Sequence, residues 1–272
     1  MSGEKRTVGY WVLATFFALF VLFLYGPMSA IFILSFQGPS GGLTFPLNGV
    51  SLHWFGNLFE RQAVGDFGAS FSRSLSLGLM VMATVVIVSL LAGLAFRKRF
   101  VGQTPLFYLA IASLVVPSII VSLGIGVLFQ QLGIKPFWAT SGFGAHLTWT
   151  LPFGVLIMFA VFNRFSPSFE EAARDLGASP WQTFWHVLLP MIAPSLIGVG
   201  LFGFSLSYDE FARSLLAMGT FNTLPLEIYG MTTNVTTPVL YALGTVTSLF
   251  SFLIIGGTVL LISLISRRRA RA

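Results

Sequence analysis

Six stretches of this chain, about 9–36, 72–96, 105–130, 143–162, 195–217 and 241–265, are mainly apolar over twenty residues or more. No other feature limits the possible folds so sharply. A helix of about 20 apolar residues crosses roughly 30 Å of hydrocarbon, and it pairs its own backbone N–H and C=O groups there without water. The reading is an all-α polytopic membrane protein with six transmembrane helices, in one transmembrane domain over residues 1–272. The sequence is 55% hydrophobic and only 9% charged, where soluble domains carry about 25% charged residues. The first apolar stretch is too long for a signal-peptide core and is followed by further spans, so it is expected to persist as a helix.

The net charge of +6 would suit a nucleic-acid partner. Basic residues also collect in the cytoplasmic loops of membrane proteins, which explains the charge without nucleic acid. With the N-terminus in the cytoplasm, the inner side holds Lys5, Arg6, Arg97, Lys98, Arg99, Arg164, Arg174, Arg267, Arg268, Arg269 and Arg271. The outer side holds only Arg61, Arg73, Lys135 and Arg213. Both termini are therefore expected in the cytoplasm, together with loop 163–194. The outer side has a long loop, 37–71, a short one near Lys135, and a third at 218–240. In the first, an amphipathic piece around Trp54, Phe55 and Leu58 is suited to lie in the lipid interface.

Several chemistries are excluded. There is no cysteine, hence no disulfide, thiol nucleophile or thiolate metal site. No Gly-x-x-x-x-Gly-Lys-Ser/Thr phosphate loop occurs. His53, His146 and His186 are scattered over three loops or loop edges, so no metal site is expected. No Ser/His/Asp arrangement stands out. No catalytic residue and no cofactor are expected.

The cytoplasmic loop 163–194 carries a polar island with two short helices. Ser168 is placed as an N-cap, with Glu171 reaching back in a capping box. Phe169, Ala172, Ala173 and Leu176 fall on one apolar face, and Glu170 can pair with Arg174 one turn on. Gly177 sits where a helix end favours positive φ. Ser179 starts a second helix, with Pro180 at its first position and Gln182 completing a second box. Trp181, Phe184, Trp185 and Leu188 repeat the apolar spacing, and Pro190 is expected to stop the helix.

The fifth apolar stretch ends on Tyr208, Asp209, Glu210 and Arg213. An ionisable residue in a membrane span is costly and is a functional hypothesis by default. Asp209 or Glu210 can be neutralised by Arg213, or the surplus negative charge can attract a cation; the residues leave both readings open. Ser72, Ser74, Ser76, Ser113, Ser118 and Ser122 line the second and third stretches. Most such serines are packing contacts, and Ser118 is the one carried forward as a pathway candidate. Pro117 is expected to kink the third span.

The island then gains a family. Glu171-Ala172-Ala173, three residues, Gly177, nine residues, Val187, one residue and Leu189-Pro190 resembles the EAA loop of binding-protein-dependent ABC importer permeases, with Val187 in place of isoleucine. The six-span layout is similar to the type I ABC importer permease fold. Ser207-Tyr208-Asp209-Glu210 with Leu224-Pro225-Leu226-Glu227-Ile228-Tyr229 resembles the spermidine/putrescine permease subfamily, second-permease type, whose relatives also move amino-acid derivatives, opines and iron.

The resemblance implies a non-catalytic permease subunit in a bacterial inner membrane. Its partners would be a second permease subunit, two ABC ATPase subunits, a periplasmic substrate-binding protein and membrane lipid, with no nucleic acid. The implied coupling residues are Glu170, Glu171, Ala172, Ala173, Asp175, Gly177, Trp181 and Pro190. Tyr208, Asp209, Glu210 and Ser118 are the candidates for the pathway of a polyamine-like cation. A self-contained secondary transporter and a membrane-embedded enzyme are the rivals; the EAA spacing argues against the first, and the absence of converging polar residues against the second.

Overall fold

Apolar runs, prolines and serines decide where this chain is helical and where it breaks. The structure is a computed structural model that describes residues 7–60, 65–234 and 237–269. Lys5, Arg6, Arg61 and Arg271 of the charge bias lie outside the described residues. The helices are α1 (Val8–Leu34), α2 (Phe67–Phe96), α3 (Gln103–Ala112), α4 (Ser118–Gln131), α5 (Trp138–Arg164), α6 (Ser168–Asp175), α7 (Pro180–Tyr208), α8 (Leu224–Asn234) and α9 (Val239–Arg269). Two further helical turns span His53–Gly56 and Asn57–Phe59. Apart from isolated bridge residues, Gln37 with Val50 and also Gly65, the described residues contain no β-strand. Five described helices are long and apolar enough to cross a membrane: α1, α2, α5, α7 and the Val239–Gly257 part of α9.

The third expected span is a correction. Residues 105–130 form two helices, α3 and α4, separated at 113–117, and neither has the length of a span. Proline has no N–H and disfavours helical backbone at the residue before it, so Pro117 breaks the run rather than bending it. The freed polar groups are used. Pro152 inside α5 cannot donate to the Thr148 carbonyl, and the Ser113 hydroxyl from the break donates to that carbonyl at 2.6 Å. Other boundaries move too. The fifth span starts at Pro180 and ends at Tyr208, and the 218–240 loop contains α8.

The chain divides into two compact units. In the one made of 67–229 and the last residues, α2, α5 and α7 pack against one another around Leu77, Val81, Val85, Met158, Ile192, Leu196 and Val199. Small residues let these helices approach closely, as expected where packing drives association. A Cβ on Gly154 of α5 would run into Ser89 and Val85 of α2. One on Gly93 of α2 would meet Phe162, and one on Gly78 would meet Phe204.

The other unit holds 1–66 and 230–260. Thr7 caps α1, its hydroxyl accepting from the Tyr10 N–H. Most of α1 is exposed. The loop after it is organised by the fully buried Gln37, whose Oε1 accepts from the Asn48 N–H at 2.7 Å and whose Nε2 donates to the Gly42 carbonyl at 3.2 Å. The Tyr241 hydroxyl donates to the Leu43 carbonyl at 2.6 Å. Trp54 and Leu58 of the amphipathic piece are buried.

Inserting side-chain volume at Gly154 should destabilise the protein, since overpacking a tight helix contact costs about 1–3 kcal/mol. Gly154→Leu is expected to lower the thermal unfolding midpoint in detergent. Gly198→Leu, on an exposed face with nothing within 4 Å of its Cβ position, should leave that midpoint nearly unchanged.

Candidate functional site

The two ends of α2 mark two polar sites. Ser74 lies near its start and Arg97 just beyond its end, about 35 Å apart along a helix rising 1.5 Å per residue.

At the Arg97 end lies the loop from α5 to α7. Helix α6 closes in a Schellman turn: Gly177 sits at φ +83°, its N–H donates to the Arg174 carbonyl at 2.8 Å, and the Ala178 N–H donates to the Ala173 carbonyl at 3.0 Å. Glycine takes this backbone without the roughly 1–2 kcal/mol that a Cβ costs in left-handed helical geometry. The chain restarts at once. The Ser179 N–H donates to Gln182 Oε1 at 2.8 Å, the Gln182 N–H donates to Ser179 Oγ at 3.3 Å, and Pro180 occupies the first position. This is the capping box expected from the sequence.

Three local expectations fail here, each for a physical reason. The Ser168–Glu171 box does not form; Pro167 stands at the N-cap, and Ser168 exchanges a 2.7 Å hydroxyl contact with Ser166 instead. Pro190 does not stop the second helix. Residues 184–188 widen into a π-turn, the Leu189 N–H reaches back to the Phe184 carbonyl, and the helix runs on to Tyr208. A π-turn loosens the ladder where proline would otherwise clash. The apolar residues around the elbow face mostly outward. Ala173 is buried, while Phe169 is 49%, Leu176 90% and Trp181 69% exposed. Finally, Glu170 pairs with Arg97 rather than with Arg174.

The Arg97–Glu170 contact is two-pronged, Nη1 to Oε1 and Nη2 to Oε2, each at 2.8 Å. The guanidinium also lies 5.3 Å from the Phe162 ring centroid and 5.6 Å from that of Phe165. The two side chains keep only 24% and 13% of their surface exposed, and the parallel pair of charge-assisted contacts fixes orientation as well as distance. A hydrogen bond from Arg97 holds the Glu170 carboxyl below its ordinary pKa, with Coulomb attraction adding to it, and the same bond raises Arg97. Glu170, Arg97, Lys98 and Arg174 line a cavity of about 710 Å³ together with Leu94, Phe184 and Leu188.

At the other end, residues 209–223 leave the helix and are held by side chains. Ser122 Oγ donates to the Arg213 carbonyl and accepts from the Leu216 N–H, both at 2.9 Å. Ser141 Oγ donates to the Ala217 carbonyl at 2.6 Å, and Ser74 Oγ accepts from the Leu224 N–H at 2.8 Å. His146, fully buried in α5, lies 2.8 Å from Ser207 Oγ and 2.9 Å from Ser214 Oγ. Ser214 gives its one proton to the Glu210 carbonyl at 2.7 Å. A neutral imidazole carrying its proton on Nε2 therefore satisfies every partner, donating to Ser214 and accepting from Ser207. His146 is thus a structural residue inside a helix, which corrects its placement on a loop edge.

The candidate pathway residues sit differently from their expected places. Asp209 caps the end of α7 and is exposed, while Glu210 is buried with its carboxylate accepting the Arg213 N–H at 2.7 Å. With α7 ended, Asp209 and Arg213 are no longer one helical turn apart. The Arg213 guanidinium is buried 5.1 Å over the Trp149 ring. Tyr208 is buried and stacked on Phe204 at 5.7 Å. Ser118 is half-buried at the start of α4. Arg97, His146 and Ser214 escaped sequence reasoning as site residues, while Arg213 was read only as a neutralising partner; the prolines that break the neighbouring segments are the one signal that buried polar partners would be needed.

Residues 85–269 match the family described as binding-protein-dependent transport system inner membrane component. The spermidine/putrescine transport system permease protein PotC of Escherichia coli K12 is 28% identical over 235 residues, 86% of this chain and 87% of that one. The PotC homolog of Mycoplasma pneumoniae is 25% identical over 83% of this chain and 82% of its own. The putrescine transport system permease protein PotI of E. coli K12 is 29% identical over 82% and 80%. Among solved structures, a bacterial ABC transporter importing the acidic polysaccharide alginate superposes with TM-score 0.64 at 19% identity, covering 94% of this chain and 98% of that one. The MetNI methionine ABC transporter superposes with TM-score 0.59 at 15% identity, covering 73% and 95%.

The lowered pKa of Glu170 has a checkable sign. The bridge contributes fully above the ordinary carboxylate pKa and is lost as pH falls through the lower, folded value. Hydrogen-exchange protection of 168–176, corrected for intrinsic rates, should fall in that acidic window in the wild type. In Glu170→Gln it should be weaker at neutral pH and flat across the window. With its all-helical fold, its spans and the match over residues 85–269, the chain belongs to the binding-protein-dependent transport system inner membrane components, the permeases of ABC importers.

Proposed function

We propose that this chain is one permease subunit of an ATP-driven importer in a bacterial inner membrane, carrying a polyamine-like cationic solute. Both termini and the 163–194 loop face the cytoplasm, and α3 with α4 completes a sixth, broken crossing. The complete importer adds a second permease subunit, two ABC ATPase subunits and a periplasmic substrate-binding protein that docks on the 37–71 and 218–240 loops. ATP hydrolysis belongs to the ATPase subunits.

The observation that carries this reading is the outward set of Phe169, Leu176 and Trp181 around the Gly177 elbow. An exposed apolar cluster between charged residues is built for a partner. It fits a groove in an ATPase subunit, with Glu171 and Asp175 offered to basic residues there and Ala172 close to the groove wall. Gly177 sets the angle of approach, and the unbroken helix through Pro190 carries the motion into α7. At the other end, exposed Asp209 attracts the cation, with Tyr208 and Glu210 fixing its position from behind and Ser118 on the same route. The polyamine assignment rests on the spermidine and putrescine permeases among the relatives.

The test is uptake of labelled spermidine and putrescine by the assembled importer. Glu171→Lys or Gly177→Pro should reduce uptake per ATP hydrolysed at least about tenfold, the equivalent of 1.4 kcal/mol; Gly177→Pro acts through a φ that proline cannot take. Asp209→Asn should raise the KM for both cations while the complex assembles normally. Wild-type transport of neither polyamine overturns the cargo reading; coupled transport in both loop variants overturns the elbow.

A further inference from the structure

Helix α6 is eight residues long and Ala173 is its one buried residue. Its packing onto the rest of the unit is therefore thin. The strongest polar attachment it makes is Glu170 to Arg97, across 73 residues of sequence. Arg174 stands one turn away on the same helix, yet Glu170 turns to Arg97. The two parallel N–H···O contacts fix direction as well as distance, which a single point contact does not. Arg97 is held in turn by Phe162 at the end of α5 and Phe165 in the connection to α6. It follows directly on α2, whose Gly93 is in close contact with Phe162. Arg97 therefore touches the end of α2, the end of α5 and the start of α6 at one point.

We propose that Arg97 is a positioning residue for coupling, a yoke that makes α2 move with α6. The inference rests on the reading of the elbow as the ATPase dock. Loop connectivity alone delivers a push on the elbow to α5 and α7, the helices that flank it in sequence. α2 already packs against both, and the two-pronged contact ties its end directly to α6, so that the elbow is held by all three helices of the core. Glu170 is thereby committed within its own chain, leaving Glu171 and Asp175 as the acids that face the partner.

The chain has no cysteine, so a single introduced pair reports cleanly. Leu91→Cys on α2 and Ser168→Cys at the start of α6 are both exposed, and neither belongs to the contact or to the outward apolar set. Spin labels at these positions, in the complex with its ATPase subunits, give the α2–α6 separation without nucleotide and after trapping with ATP and vanadate. In the wild-type background the separation should hold constant within about 2 Å, the scale of a helix shift. Arg97→Glu and Glu170→Arg should each let it change by more than that, and the two together, restoring the pair with signs exchanged, should bring constancy back. Arg97→Lys keeps the charge and loses the fork, and should fall between. A separation that stays constant in Arg97→Glu overturns the yoke, as does a double variant no better than the worse single one. Failure of the underlying reading looks different: ATPase subunits that copurify undiminished with Glu171→Lys remove the elbow as their dock, and the yoke with it.

Discussion

Every backbone N–H and C=O that enters an apolar surround needs a partner, and this structure is arranged around meeting that need where helices stop. Irregular backbone is tolerated in such proteins only where protein groups take the place of water. The 209–223 segment meets the condition through Ser74, Ser122, Ser141 and the Ser207–His146–Ser214 chain. The Thr148 carbonyl orphaned by Pro152 meets it through Ser113. Ser74, Ser113 and Ser122 of the second and third apolar stretches are accordingly joints of the fold. A defect in one of them would be felt at the end of α7, where Asp209 stands.

How much was legible depended on whether an element is governed by local rules. Gly177 and the Ser179–Gln182 box were readable because caps are decided by residues within a turn of each other. The helical character and most spans followed from apolar length. The break in α3 and α4 was only half readable: Pro117 announces a disturbance, but whether it bends or separates depends on partners such as Ser113 and Ser122. The inward turn of Glu170 was hidden altogether, since its partner Arg97 is distant in sequence and Arg174 offered a plausible local substitute. The end of α7 at Tyr208 was hidden too, because hydropathy continues through Leu215 and Leu216 while the backbone does not.

Fold and cargo separate among proteins of this architecture. The alginate importer and the methionine importer share the architecture at under 20% identity, so the scaffold does not choose the solute. In the function proposed above, choice of solute falls to a few side chains near the end of α7, and coupling to the elbow at the opposite end of the core. The two are joined by α2, α5 and α7, whose close glycine contacts leave little slack to absorb a displacement. A rigid three-helix block with an exposed elbow at one end and a side-chain-held loop at the other is a plain physical means of carrying motion between them.

The central claim is that the elbow is the surface an ATPase subunit grips, and a photo-crosslink from Trp181 addresses it most directly. Trp181 is exposed beside the elbow, and a benzophenone amino acid in its place reports its neighbour in intact membranes containing the complete importer. The account predicts one dominant adduct, with a subunit carrying a Gly-x-x-x-x-Gly-Lys-Ser/Thr phosphate loop. Adducts with lipid or the periplasmic binding protein alone, and none with such a subunit, would contradict it.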